Sequence, residues 1–294
     1  MATASPPSAD AQQVVTVPCI GPSGGAAGLV TAIQNANTAG HGTINLAANC
    51  NYDFTAPTDT TGTRGGDALP IIRGDITILG GPSTHIRRTG GPAFRLFEVA
   101  AGARLLIRGI FIEGGDSGTN TGGAILSARG TVVLKFVTVR YNTADNGAGL
   151  SNDSGTMVLY YTVVTSNTTR HLSGAGGGGA GIYSDGRLDV KFSVVSLNTA
   201  NTSGGGVYAE QGGTATFYRT TLSGNVARFN GGGLLDGPGG RATLVLTLVE
   251  HNSAGNGGGI FRTPASGPVI LFNSVVAANN PNNCRPVGSI AGCS

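Results

Sequence analysis

Three carboxylates recur at one place in a repeated pattern. Asp153, Asp185 and Glu210 each stand three residues after the aliphatic residue that closes a glycine run, Leu150, Ile182 and Val207 respectively. Stacked in consecutive parallel units, neighbouring carboxylates would lie about 5 Å apart and alternate ones about 10 Å. These are close to the two separations used by retaining and inverting glycosidases. Like charges so close repel, so at least one of the three is expected to keep its proton near neutral pH and act as an acid. Tyr183 and Tyr208, two residues before Asp185 and Glu210, add rings that stack on sugar faces and hydroxyls that donate hydrogen bonds. Asp153, Asp185 and Glu210 are thus candidate catalytic groups, with Tyr183 and Tyr208 as substrate-binding ones. The same segments, Asn152-Asp153-Ser154-Gly155 and Ser184-Asp185-Gly186, also read as ordinary turns.

A second candidate is the loop after Asn167, through Arg170-His171 to the next glycine run, which is longer than its counterparts elsewhere in the chain. Insertions in a repeat protein gather on the binding face. His171 would serve as a general acid or base there, with Arg170 or Arg228 pairing a substrate carboxylate as a uronate lyase requires. A histidine in a glycine-rich loop is otherwise simply solvated. A third outward set, Phe136, Tyr161 and Phe192 flanked by Lys135, Tyr160, Lys191 and Tyr218, reads as an aromatic ladder that stabilises by cross-coil stacking, with binding of a glycan or a partner protein as the alternative. No cluster of His, Cys and carboxylates has metal-ligand spacing, and no phosphate loop or nucleotide fingerprint lies between a strand and a helix. No metal and no cofactor are expected.

The elements that must position these groups follow from one asparagine per unit: Asn142, Asn167, Asn198, Asn225, Asn252 and Asn279. The period, 25 to 31 residues, is that of a solenoid. Three residues before each asparagine is Val139, Val164, Val195, Leu222, Val249 or Val276, and apolar residues at eight and ten before share one face of a strand. After each asparagine a short loop enters a glycine run closed by a small-and-apolar strand, as in Gly122-Gly123-Ala124-Ile125 and Gly204-Gly205-Gly206-Val207. Each unit therefore holds about three short strands that pair with the next unit. The pattern predicts a right-handed parallel β-helix whose asparagine amides hydrogen-bond along a column.

The coils are expected over residues 53–279, ahead of a C-terminal cap at 280–294 and behind an N-terminal cap at 14–52. In the latter, Leu29, Val30 and Ile33 mark an amphipathic helix over about 26–37 that plugs the open end. Residues 1–13, rich in Ala, Ser and Pro, are expected to be disordered. The four cysteines fall at the two ends, outside the repeats, and are read as disulfides Cys19–Cys50 and Cys284–Cys293 that staple an open stack. Disulfides imply an oxidising compartment, so the protein is read as secreted. With 11% charged residues, net charge +3 and 18 scattered Lys and Arg, the chain has no nucleic-acid footprint, and no run is long and apolar enough to span a membrane. A monomer is expected.

The glycine-glycine-small-aliphatic runs, the V-x-x-N strand ends and the Cys19–Cys50 cap around a short helix resemble the secreted right-handed parallel β-helix repeat proteins of actinobacteria and other bacteria. The repeat is also similar to that of polymorphic outer-membrane adhesins, whose GGAI signature matches Gly122 to Ile125. The signatures of the polygalacturonases, pectate lyases and mannuronan epimerases of this fold are missing. The resemblance implies the fold. The residues themselves point to a carbohydrate-active protein, a glycoside hydrolase or polysaccharide lyase on an extracellular polysaccharide, with a non-catalytic adhesive or glycan-binding surface protein as the alternative.

Overall fold

A computed structural model describes residues 14–62, 64–170, 177–286 and 288–293. They form an all-β parallel solenoid with one helix near the N-terminus. A full coil runs through four strands, for example Thr131–Lys135, Thr138–Arg140, Thr143–Ala144 and Leu150–Asp153. Each strand pairs in parallel with its equivalents in the coils above and below, building four sheets. Sheet A has ten strands, from Val14–Val17 to Val269–Phe272; sheet B has nine, from Asn51–Phe54 to Val275–Ala277. Sheet C has four two-residue strands, and sheet D eight, from Phe97–Val99 to Cys284–Arg285. Three strands per coil were expected from the pattern. The fourth, Thr143–Ala144 and its equivalents, is too short for a two-residue period to register.

The register is the one the repeat dictates. Val132, Met157, Leu188, Ala215, Ala242 and Val269 pair in one column, and all are buried. Fully burying such a side chain contributes roughly 1.5–3 kcal/mol for the larger ones, so the core column drives coil stacking. Beside it the asparagines form a continuous ladder: the amide of Asn142 donates to Oδ1 of Asn167 at 2.9 Å, and the same bond repeats to Asn198, Asn225, Asn252 and Asn279. Each Oδ1 also accepts the backbone N–H of the preceding asparagine, so buried corner groups that water cannot reach are satisfied.

The ladder explains why the glycine run accompanies it. A Cβ on Gly149, Gly181, Gly206, Gly233 or Gly259 would lie 2.8–3.0 Å from the amide nitrogen of Asn167, Asn198, Asn225, Asn252 or Asn279. The last glycine of each run is thus the seat of the next coil's asparagine. The first glycine does a different job: Gly147 has φ +54°, and a Cβ there would lie 2.9 Å from Ser151, so the turn folds back over its own strand.

Both ends are closed. Helix Gly25–Ala39 buries Leu29, Ala32, Ile33 and Ala36 against the first coils, and Cys19 is bonded to Cys50 across it. At the other end Cys284–Arg285 pairs with Ile260–Arg262, Cys284 is bonded to Cys293, and Asn283 accepts the last ladder bond from Asn279 at 3.2 Å.

Candidate functional site

Sheet D carries the candidate carboxylates. Its strands Leu150–Asp153, Ile182–Ser184 and Val207–Ala209 stack in register, and the N–H groups of Asp185 and Glu210 donate to the carbonyls of Asn152 and Ser184. Asp153, Asp185 and Glu210 therefore occupy one column in three consecutive coils, each half-buried. Each carboxylate is held by a different partner. Arg64 forms an ion pair with Asp153 from a point 89 residues away. Asp185 accepts the backbone N–H of Ser154. Glu210 accepts two phenol hydroxyls, from Tyr183 at 2.8 Å and from Tyr208 at 2.6 Å.

The electrostatics separate the three. Burial pushes the Asp185 carboxyl above the usual carboxylate range, the neighbouring Asp153 pushes it further, and the Ser154 N–H offsets part of this. Burial and the Glu210 carboxylate hold the hydroxyls of Tyr183 and Tyr208 far above the ordinary tyrosine range, so both remain proton donors. Their rings meet edge to face, 5.6 Å between centroids.

The column two residues earlier differs from its expectation as an outward, accessible surface. It does face away from the core, but Leu126, Ser151, Tyr208 and Leu235 in it are buried. The physical cause is the positive-φ glycine turn that lies over each of these strands; a Cβ on Gly204 would lie 2.7 Å from the Cβ of Tyr208.

The second candidate set is dispersed. Arg170 forms an ion pair with buried Asp116 at 2.6 Å. Arg228 lies over the ring of the exposed Phe229 at 5.2 Å, two coils further on. His171 lies outside the described residues.

The sequence pattern missed the segment that covers the N-terminal end of sheet D. Residues 66–72 add to that sheet beside Arg95 and Val99, and the turn before them carries Arg64. Arg95 is wholly buried and anchors this arm. Its guanidinium donates to Asp67 and to Glu98, each at 2.9 Å, to the carbonyl of Arg64 at 2.9 Å, and to those of Thr121 and Gly122 at 3.0 Å. Burial pushes the Asp67 carboxyl up, against the pull of Arg95. The one sequence signal was negative: residues 55–74 are too long for a coil connection and lack the repeat residues.

A second unforeseen group is Asp236, on the core side of sheet D in register with Ala209. Burial pushes it up to about 6, with the Ser266 hydroxyl and the Arg262 charge offsetting part of that. The Ser266 hydroxyl, however, is committed to the Thr263 carbonyl at 2.8 Å, and neither carboxyl oxygen of Asp236 has a hydrogen bond among the described residues.

Among the described residues no group of three or more His, Cys, Asp or Glu side chains is gathered to hold a metal ion, and no helix is long and apolar enough to cross a membrane. Compared with known protein families, with curated proteins and with solved structures, the chain matches none. The likeness to bacterial β-helix and adhesin repeats therefore rests on the repeat residues alone.

Proposed function

We propose that this chain is an extracellular carbohydrate-active protein, a glycoside hydrolase that works at the Asp153–Asp185–Glu210 column. The observation that carries the reading is Asp185: a half-buried carboxyl raised above the usual carboxylate range, set between two carboxylates that are each held by a donor. In this reading protonated Asp185 donates to the glycosidic oxygen while Glu210, oriented by two phenol hydroxyls, attacks the anomeric carbon. Adjacent coils at about 4.8 Å match the short carboxyl separation of a retaining enzyme. Deprotonated Asp185 then activates water to release the sugar. Asp153, paired with Arg64, adds its charge to the raising of Asp185. Hydrolysis is favoured over uronate elimination because the two cations a lyase would use are dispersed, Arg170 committed to Asp116 and Arg228 two coils further on beside Phe229. The terminal disulfides support an extracellular setting.

The test is release of reducing ends from a panel of plant, algal and microbial polysaccharides. Asp185→Asn is expected to lower turnover by at least about a hundredfold, the scale of general acid catalysis, with a melting temperature close to that of the unaltered protein. Full activity in that variant, or glycan binding by the unaltered protein with no product from any polysaccharide, overturns the hydrolase reading; the latter result is the adhesive alternative.

A further inference from the structure

The corner between sheets A and B carries the opposite chemistry. The residue that turns this corner is Gly109, Phe136, Tyr161, Phe192, Arg219 and Leu246 in successive coils, and every one has a positive φ. Phe136, Tyr161 and Phe192 stack nearly parallel, with centroids 5.1 and 5.0 Å apart, and Tyr218 closes the stack edge-on at 5.4 Å. Phe136 and Tyr161 remain 53% and 51% exposed.

Four cations edge the stack. Arg108 lies over the Phe136 ring at 5.6 Å; Lys135 and Lys191 lie on either side of the Tyr160 ring at 5.8 and 5.4 Å; Arg219 lies over Tyr218 at 5.7 Å. None of the four forms an ion pair with a described residue. The stack also stops abruptly. Above Phe136 the corner residue is Gly109, which has no ring to offer, and Phe136 borders an open groove of about 410 Å³. Arg108, Gly109, Phe111 and Thr138 share its lining. A further recess of about 300 Å³ lies between Lys135, Phe136, Tyr160 and Tyr161.

We propose that this corner is a docking track for an acidic polysaccharide, in which one uronate ring enters the groove beneath Gly109 against the exposed edge of Phe136 and gives its carboxylate to Arg108, which lies over the Phe136 ring. Carboxylates further along the chain then meet Lys135 and Lys191, which follow the solenoid axis. Unpaired cations select a polyanion over a neutral glycan, because a carboxylate gains a charge-assisted hydrogen bond from each. Single-stranded nucleic acid is disfavoured because its affinity comes from stacking successive bases. Here the ring faces are already taken, by one another and by Arg108 over Phe136. A polyuronate needs only one contact with a ring edge plus spaced charges. The inference shares the carbohydrate class with the hydrolase reading but uses a separate face, so either can fail alone.

The test is binding of polygalacturonate, alginate and hyaluronate at low ionic strength, with dextran and oligo(dT) as neutral and nucleic-acid comparisons. At least one polyuronate is expected to bind about tenfold or more tightly than both comparisons, and added salt weakens it. Arg108→Gln and Phe136→Ala should each lower that affinity about tenfold, near 1.4 kcal/mol, while Asp185→Asn binds as the unaltered protein does. Arg108 is exposed, so its variant keeps the test valid even if Phe136→Ala folds poorly. The proposal is overturned if no polyuronate binds, if dextran or oligo(dT) binds as well, or if Arg108→Gln changes affinity by less than that.

Discussion

The acidic column of sheet D and the basic aromatic corner between sheets A and B are built on the same frame, one residue per coil, and end with opposite properties. On sheet D every candidate carboxylate has a partner: Arg64, the Ser154 N–H, or a pair of tyrosine hydroxyls. On the corner the cations have ring faces and no counter-ion among the described residues. What differs is the covering. Glycine turns lie over the sheet D strands, and the arm at 66–72 closes its N-terminal end, so charges there sit at reduced dielectric and shift their proton affinities. The corner is bare, and its chemistry answers to salt. One face should therefore respond to pH and the other to ionic strength.

The largest effect should come from removing what holds the covering in place. Arg95→Met leaves Asp67 and Glu98 as buried carboxylates without their cation, and breaking a buried pair in this way costs about 3–5 kcal/mol. Urea denaturation measures the loss. Arg64→Met, which removes an ion pair that is only half-buried, should cost about 1 kcal/mol or less. Equal stability of the two variants would mean that the arm is not anchored through Arg95, and the contrast between a covered and a bare face would lose its cause.

The pH response of sheet D can be read at Asp236, whose proton affinity is raised with no hydrogen bond to its carboxyl among the described residues. Because its folded value, about 6, lies above the ordinary one, the folded state holds the proton more tightly than the unfolded chain. The stability this brings is complete below about pH 4 and is lost as pH rises through 6. The roughly hundredfold difference in proton affinity is worth up to about 3 kcal/mol. Asp236→Ala, matching Ala209 in the preceding coil, should therefore gain stability relative to the unaltered protein by about that amount between pH 4 and pH 8. Parallel stability curves would show that the carboxyl is not strained by burial.

The first of these predictions rests on residues outside the repeat and the second on a carboxylate at one of its core positions, which marks how far the sequence could be read. The frame was legible because it repeats: asparagine, glycine run and the preceding aliphatic residues occupy fixed offsets, and each offset is a buried contact with the next coil. Asp153, Asp185 and Glu210 could be placed in one column for the same reason. Arg64, Arg95 and Asp67 could not, since the Arg95–Asp67 and Arg64–Asp153 pairs lie 28 and 89 residues apart and belong to no repeated offset. Covering was equally hidden. Two-residue alternation tells which side chains leave the core, but whether a turn then folds over them depends on backbone geometry at the preceding glycine. The ion pair of Arg170 with Asp116, 54 residues apart, is a third contact of this kind.

The smallest expected effect sharpens the other side of the comparison. Tyr161 sits mid-stack between Phe136 and Phe192 and has φ +49°. Tyr161→Ala removes two stacking contacts, each worth about 0.5–1.5 kcal/mol, and leaves an L-residue in the left-handed region. Tyr161→Gly removes the same contacts but relieves roughly 1 kcal/mol of backbone strain. Alanine should therefore destabilise by about 1–2 kcal/mol and glycine by visibly less, both measured by thermal unfolding. Were alanine neutral, the rings would not be stabilising one another. Their exposure in a strained corner would then have no structural return, and the weight of explanation would fall on what binds there.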